Sequence, residues 1–186
     1  MKKILLGLLC FVFALNSKAQ EKYFTKTGKI NFKATAPSSP EKIEGLNKSV
    51  TCVIDSKTGA IQFSALMKGF EFERALMEEH FNENYVESTK YPKAEFKGQI
   101  TNNADVNYIK DGVYAVKVLG KLTMHGETKD VATDGKVNIK NGKVTVSSNI
   151  TIALADYKIS IPSLVADKVS KTVTISVDCN LEVFKK

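Results

Sequence analysis

"KTVTISVDCNLEVF", residues 171–184, is the stretch that decides the fold. Val173, Ile175, Val177, Cys179, Leu181 and Val183 alternate with Thr172, Thr174, Ser176, Asp178, Asn180 and Glu182. Successive side chains of a β-strand point to opposite faces, so a period of two gives one dry face and one wet face. An amphipathic helix would repeat its apolar residues three and four apart instead. The segment therefore reads as an antiparallel strand packed on one side only.

The same period recurs back along the chain. "KINFKAT" (29–35) sets Ile30, Phe32 and Ala34 on one face, and "SVTCVID" (49–55) does so with Val50, Cys52 and Ile54. "TGAIQFSALMKG" (58–69) opens on a turn and aligns Ile61, Phe63, Ala65 and Met67. "AEFKGQI" (94–100) contributes Ala94, Phe96, Gly98 and Ile100. "GVYAVKVLGKLTMHG" (112–126) places Tyr114, Val116, Val118, Gly120, Leu122 and Met124 in phase. "KVTVSSNITIALADY" (143–157) does the same with Val144, Val146, Ile150, Ile152 and Leu154, and the Asn141-Gly142 pair before it is a two-residue hairpin signal. With a weaker start at "KYFTKT" (22–27) this makes eight or nine strands, an all-β chain. Closing such a meander removes its exposed edges. About eight strands enclose a space that side chains can fill or that one small ligand can occupy. A two-sheet sandwich satisfies the pattern as well.

The alternation fails once. In "ERALMEEHFNENYVES" (73–88) Met77, Phe81 and Tyr85 recur every four residues, opposite Glu78, Glu79, Asn82 and Glu83. That predicts a short amphipathic helix near residues 74–88, ended by Pro92, lying over one end of the barrel. It is either a plug of ordinary core or a lid over a cavity. Small residues on the inward phase, Ala65, Gly98 and Gly120, and the absence of Trp favour a cavity.

Residues 1–19 read as a secretory signal: basic "MKK", the apolar run "ILLGLLCFVFAL", then Ser17-Lys18-Ala19 as a cleavage site. Leu9 before Cys10 argues against a lipoprotein. Cleavage after Ala19 takes nineteen of 186 residues and leaves 167, one domain over 20–186, expected to be periplasmic or secreted. The formal charge of +7 falls to +4 as Lys2, Lys3 and Lys18 leave. With one Arg, no Trp and no basic stripe, nucleic acid is a poor partner, while weak attraction to anionic lipid head groups fits. Cys52 and Cys179 are two buried thiols or, in an oxidising compartment, a disulfide. "ATAPSSPEKIEGLNK" (34–48) reads as a long, candidate mobile loop.

Three ordered segments carry a resemblance: "LMEEHFNENYVESTKYPKAEFKG" (76–98), "GVYAVKVLGKLTMHGETKDV" (112–131), and "ALADYKISIP" (153–162) with "DKVSKTVTISVDCNLE" (167–182). Over residues 60–184 the chain resembles the YceI-like polyisoprenoid-binding proteins. The resemblance implies a closed, lipocalin-like, antiparallel eight-stranded barrel, exported, holding a long isoprenoid or related fatty amphiphile for transport, storage or sequestration. It departs from the family at "KTGKINFKATAP" (26–37), where an aspartate and a histidine are often found.

On that reading the ligand is the lipid itself, with no cofactor and no catalysis. Expected lining residues on the strands are Phe63, Ala65, Met67, Phe96, Tyr114, Val116, Val118 and Leu122, then Ile150, Ile152, Leu154 and Tyr157. From the insert and its approach come Phe70, Phe72, Leu76, Met77, His80, Phe81 and Tyr85. Arg74 is expected to pair with Glu73 or Glu78, and His125 to sit on the surface at a turn. Two other functions stay open: an enzyme using His80 as acid and base on a lipid head, or a solid-cored interaction module. Two histidines without matching carboxylate spacing make a weak metal case. The oligomeric state is not written in the pattern, and a dimer is compatible with it.

Overall fold

The computed structural model describes residues 22–184. The predicted signal and its cleavage point lie outside the described residues. Nine strands run β1 (Lys22–Thr35), β2 (Glu44–Asp55), β3 (Ala60–Leu66), β4 (Phe70–Glu71), β5 (Lys93–Ile100), β6 (Gly112–Met124), β7 (Glu127–Lys140), β8 (Lys143–Ala153) and β9 (Val169–Val183). Every ladder is antiparallel. The order β1-β9-β8-β7-β6-β5-β3-β2, with a β1–β2 ladder, closes eight strands into a barrel. The sandwich is thereby excluded. The two-residue β4 pairs Phe70 with Asn47 and Glu71 with Leu46 on β2.

Local sequence fixes the corners. Asn141 and Gly142 take positive φ (51° and 73°), as a two-residue hairpin between right-twisted strands requires. His125 (52°) and Gly126 (78°) do the same between β6 and β7, a turn that "HG" conceals better than "NG". Asn47 is fully buried on β2. Its amide donates to the Leu66 carbonyl at 2.9 Å and its Oδ1 accepts from the Ser49 amide at 2.8 Å. This anchors the chain where β3 ends. Of the stretch expected as a fifteen-residue mobile loop, residues 34–35 and 44–48 are strand. Only residues 36–43 connect β1 to β2, and the Ala36 amide donates to the Lys168 carbonyl at 2.9 Å.

The predicted helix is α1 (Ala75–His80), continued by one wider π-type turn over Phe81–Tyr85. The Met67 amide donates to the Pro92 carbonyl at 2.9 Å, so the excursion closes where it began. The barrel is solid at one end. Tyr23, Ile54, Ile139, Val144 and Leu181 pack there at 3% exposure or less, with Tyr23 stacked on Tyr108. The other end, under α1, is hollow.

Candidate functional site

The hollow is a cavity of about 420 Å³. Inward positions of seven strands build its wall: Ile30 and Phe32, Ile61, Phe63 and Ala65, Ala94 and Phe96, Val116, Val118 and Leu122, Val137, Val146, Ile150 and Ile152, Val173, Ile175 and Val177. Each lies on the apolar phase, so period-two patterning alone supplies a continuous apolar surface. Such a cavity takes up apolar groups readily, because they replace missing packing contacts and leave water in doing so. Polar side chains on the lining fall into two groups. Thr133, Lys136, Ser147 and Ser148 lie along β7 and β8, and Glu41, Arg74, His80 and Lys168 ring the open end.

Phe81 anchors the helix. It stacks on Phe32 (5.2 Å, 17°) and meets the rings of Phe70 (5.5 Å) and Phe72 (5.0 Å). Aromatic contacts of this kind each add about 0.5–1.5 kcal/mol beyond area burial. Gly45 on β2 makes room for the cluster, since a Cβ there would come within 2.4 Å of Phe32 Cε1. Leu76, Met77, His80 and Tyr85 complete the lining. Leu76 and His80 line the hollow while staying exposed, so the cavity reaches solvent here. Burial raises the Tyr85 phenol above its ordinary pKa. Arg74 pairs with neither expected glutamate. It donates to Glu41 Oε1 at 2.9 Å, and Lys168 lies 3.5 Å from Glu41 Oε2. Glu41 thus ties the β1–β2 loop to the helix start and to the segment before β9.

Of the residues expected on the lining, Phe63, Ala65, Met67, Phe70, Phe72, Leu76, Met77, His80, Phe81, Tyr85, Phe96, Val116, Val118, Leu122, Ile150, Ile152 and Leu154 all lie on it. Tyr114 does not. It stands opposite Val137 near the packed end, its hydroxyl donating to the Lys110 carbonyl at 3.0 Å. Tyr157 does not either. The 3₁₀ turn Leu154–Tyr157 breaks strand parity and swings it onto a separate groove between β7 and β8. Burial, reinforced by Asp156, raises its pKa. Strand parity missed Glu41, Ile43, Ile159, Val165 and Lys168, which come from connections whose path no periodicity encodes.

Two further readings need correction, and of the two alternatives for Cys52 and Cys179 the structure shows the pair of buried thiols. His125 is not a surface residue: its side chain is 10% exposed. Nδ1 lies 2.8 Å from the Tyr157 carbonyl, Nε2 3.7 Å from Glu87 Oε1, and the ring meets Tyr91 edge-on at 4.6 Å. The positive-φ turn folds it back onto the barrel end. Gly98 and Gly120, paired across β5 and β6, do not leave space for a ligand. A Cβ on either would lie 2.5–2.6 Å from the Phe96 ring, which fills that room. Cys52 and Cys179 are free thiols, both fully buried, and they hydrogen-bond each other across β1. That bond, then burial, raises the Cys52 pKa, and the same bond lowers that of Cys179. Gly28 lets them meet, at the irregular step of β1 between Thr25 and Lys29.

A search of curated proteins finds no match to the chain. Solved structures share the fold at low identity. A polyisoprenoid-binding domain from Saccharophagus degradans superposes with a TM-score of 0.76 at 16% identity, covering 89% of this chain and 99% of that one. BcnA of Burkholderia cenocepacia gives 0.66 at 16%, covering 83% and 96%. A YceI protein of Campylobacter jejuni gives 0.59 at 19%, covering 80% and 88%. The model of the YceI-like domain matches residues 16–181, nearly the whole chain, so the protein belongs to the YceI-like family.

Proposed function

We propose that this protein binds a long-chain amphiphile of the isoprenoid type, its tail in the barrel and its head at the open end. The observation that carries this reading is the apolar cavity of about 420 Å³ reaching solvent beneath α1. At the ~30 Å³ that a water-sized group occupies in a liquid, it has room for about fourteen chain carbons. Burying fourteen methylenes would give ~11 kcal/mol gross relative to water, and ordering costs reduce this severely. The polyisoprenoid-binding description of the Saccharophagus degradans domain supports the same class of ligand.

The rim favours an anionic or polar head. Arg74 and Lys168 set two positive charges against one carboxylate, Glu41. Leu76 and Leu164, 60% and 89% exposed, stand beside them on the helix and on the segment before β9. Apolar points among cations suit brief contact with an anionic membrane surface, where a carrier would load and unload. Export, as residues 1–19 suggest, would put such a carrier between membranes. Binding without chemistry suits the site better than catalysis, since His80 stands open to water on the rim.

A fluorescent polyprenol titrated into the detergent-free protein tests this. Saturable binding competed by long-chain but not short-chain alcohols is expected. Failure of any long-chain probe to bind would refute it.

A further inference from the structure

The barrel wall is parted between β7 and β8. Their ladder runs from Lys140–Lys143 at the hairpin to Gly135–Ser148 and stops. Both strands continue, but each only with its other neighbour. β7 stays paired to β6 down to Glu127, and β8 stays paired to β9 as far as Ala153. Residues 129–134 and 149–153 therefore face each other as two strand edges without a ladder. A second hollow, about 270 Å³, fills the gap, and Thr133, Ile150 and Ile152 line both it and the main cavity.

Local chemistry holds the gap open. At the fork, Ser148 Oγ donates to the Asp134 carbonyl at 2.8 Å, and Thr133 Oγ1 donates to the Asn149 carbonyl at 3.1 Å. Hydroxyls thus take the carbonyls next in line for the ladder. At the far end the turn Leu154–Tyr157 packs against β7, β8 and β9, with His125 Nδ1 at 2.8 Å from the Tyr157 carbonyl. Lys129, Asp130 and Asp156 line the outer groove and keep it wet, which discourages capture of a foreign strand.

We infer that this seam is a side entrance through which the chain of an amphiphile slips edgewise into the barrel. The inference rests on the lipid-binding reading above. An end-on route drags the whole tail lengthwise past the Glu41 tie, whereas a lateral slit admits it along its length.

Continuing the register from Gly135–Ser148 sets Ala132 opposite Thr151, both exposed. An Ala132→Cys/Thr151→Cys protein bridged by a bis-maleimide should take up the fluorescent polyprenol about tenfold more slowly than the same protein capped singly, with equilibrium affinity retained. Equal rates in the bridged and capped forms would overturn the side entrance while leaving lipid binding intact. Loss of binding in the unmodified parent would instead remove the reading beneath it. Thr133→Val/Ser148→Ala, which frees the fork carbonyls for ladder pairing, should slow uptake without any crosslink. Hydrogen exchange gives an independent answer. About half the amides of 129–134 and 149–153 should exchange rapidly in the free protein, as edge amides do. Protection of both segments equal to that of 135–140 would mean a zipped wall and would overturn the proposal.

Discussion

Val118→Trp separates an empty, usable interior from ordinary core. Val118 lies on the cavity lining in the middle of β6, opposite Ile100 on β5 and Thr133 on β7. Tryptophan carries about seven more side-chain heavy atoms than valine; at ~30 Å³ each they would occupy roughly 210 Å³, half the hollow. If each displaced ligand carbon forfeits ~0.3 kcal/mol of realised affinity, the loss is ~2 kcal/mol, or about thirty-fold in Kd. Were the interior already packed, the same change would overpack it and cost about 1–3 kcal/mol of stability. The two cases diverge in one pair of measurements. Binding of the fluorescent polyprenol should weaken about thirty-fold while thermal unfolding stays within about 2 °C of the parent. Unchanged binding, or a large drop in Tm, would refute the reasoning.

Other outcomes follow from individual contacts. Phe81→Ala removes the ring that Phe32, Phe70 and Phe72 hold, so α1 should loosen; a stability loss of about 3 kcal/mol in denaturant melts, with faster probe release, is expected. Gly28→Ala would press a Cβ to 2.4 Å from Cys179 Sγ and should cost about 1–3 kcal/mol in the same assay. Burial first, then the Asp55 carboxylate, pushes Tyr108 up to about 12. A phenol whose folded pKa is raised adds stability that is complete below the unfolded value of about 10 and is lost as pH rises through 12. Parent protein should therefore lose more stability than Tyr108→Phe between those limits. Equal alkaline losses would contradict that assignment.

The barrel was legible because its evidence is local and repeated. In the strand over 171–184, each inward residue from Val173 to Leu181 is buried or half-buried as parity demands, and only Val183, at the strand's end, is exposed. The helix was legible as a break in that rhythm, and the cavity wall as the dry phase of successive strands. What parity could not supply was the distance between inward side chains. Gly98 and Gly120 read as emptiness, yet Phe96 lies across them. Turns hide more. His125 and Tyr157 leave strand parity by backbone conformation, one through a positive φ and the other through a 3₁₀ turn, and they meet at 2.8 Å. The Glu41 tie spans residues 41, 74 and 168, a closeness that only the closed barrel creates. The seam is quieter still, because unpaired β7 and β8 edges alternate like paired ones.

The most direct test of a hollow, ligand-holding barrel is native mass spectrometry of the full chain expressed in bacteria and purified without detergent. A chain carrying one bound amphiphile, released on denaturation and much reduced in Val118→Trp, is expected. A bare chain that stays bare when long-chain alcohols are added would contradict it.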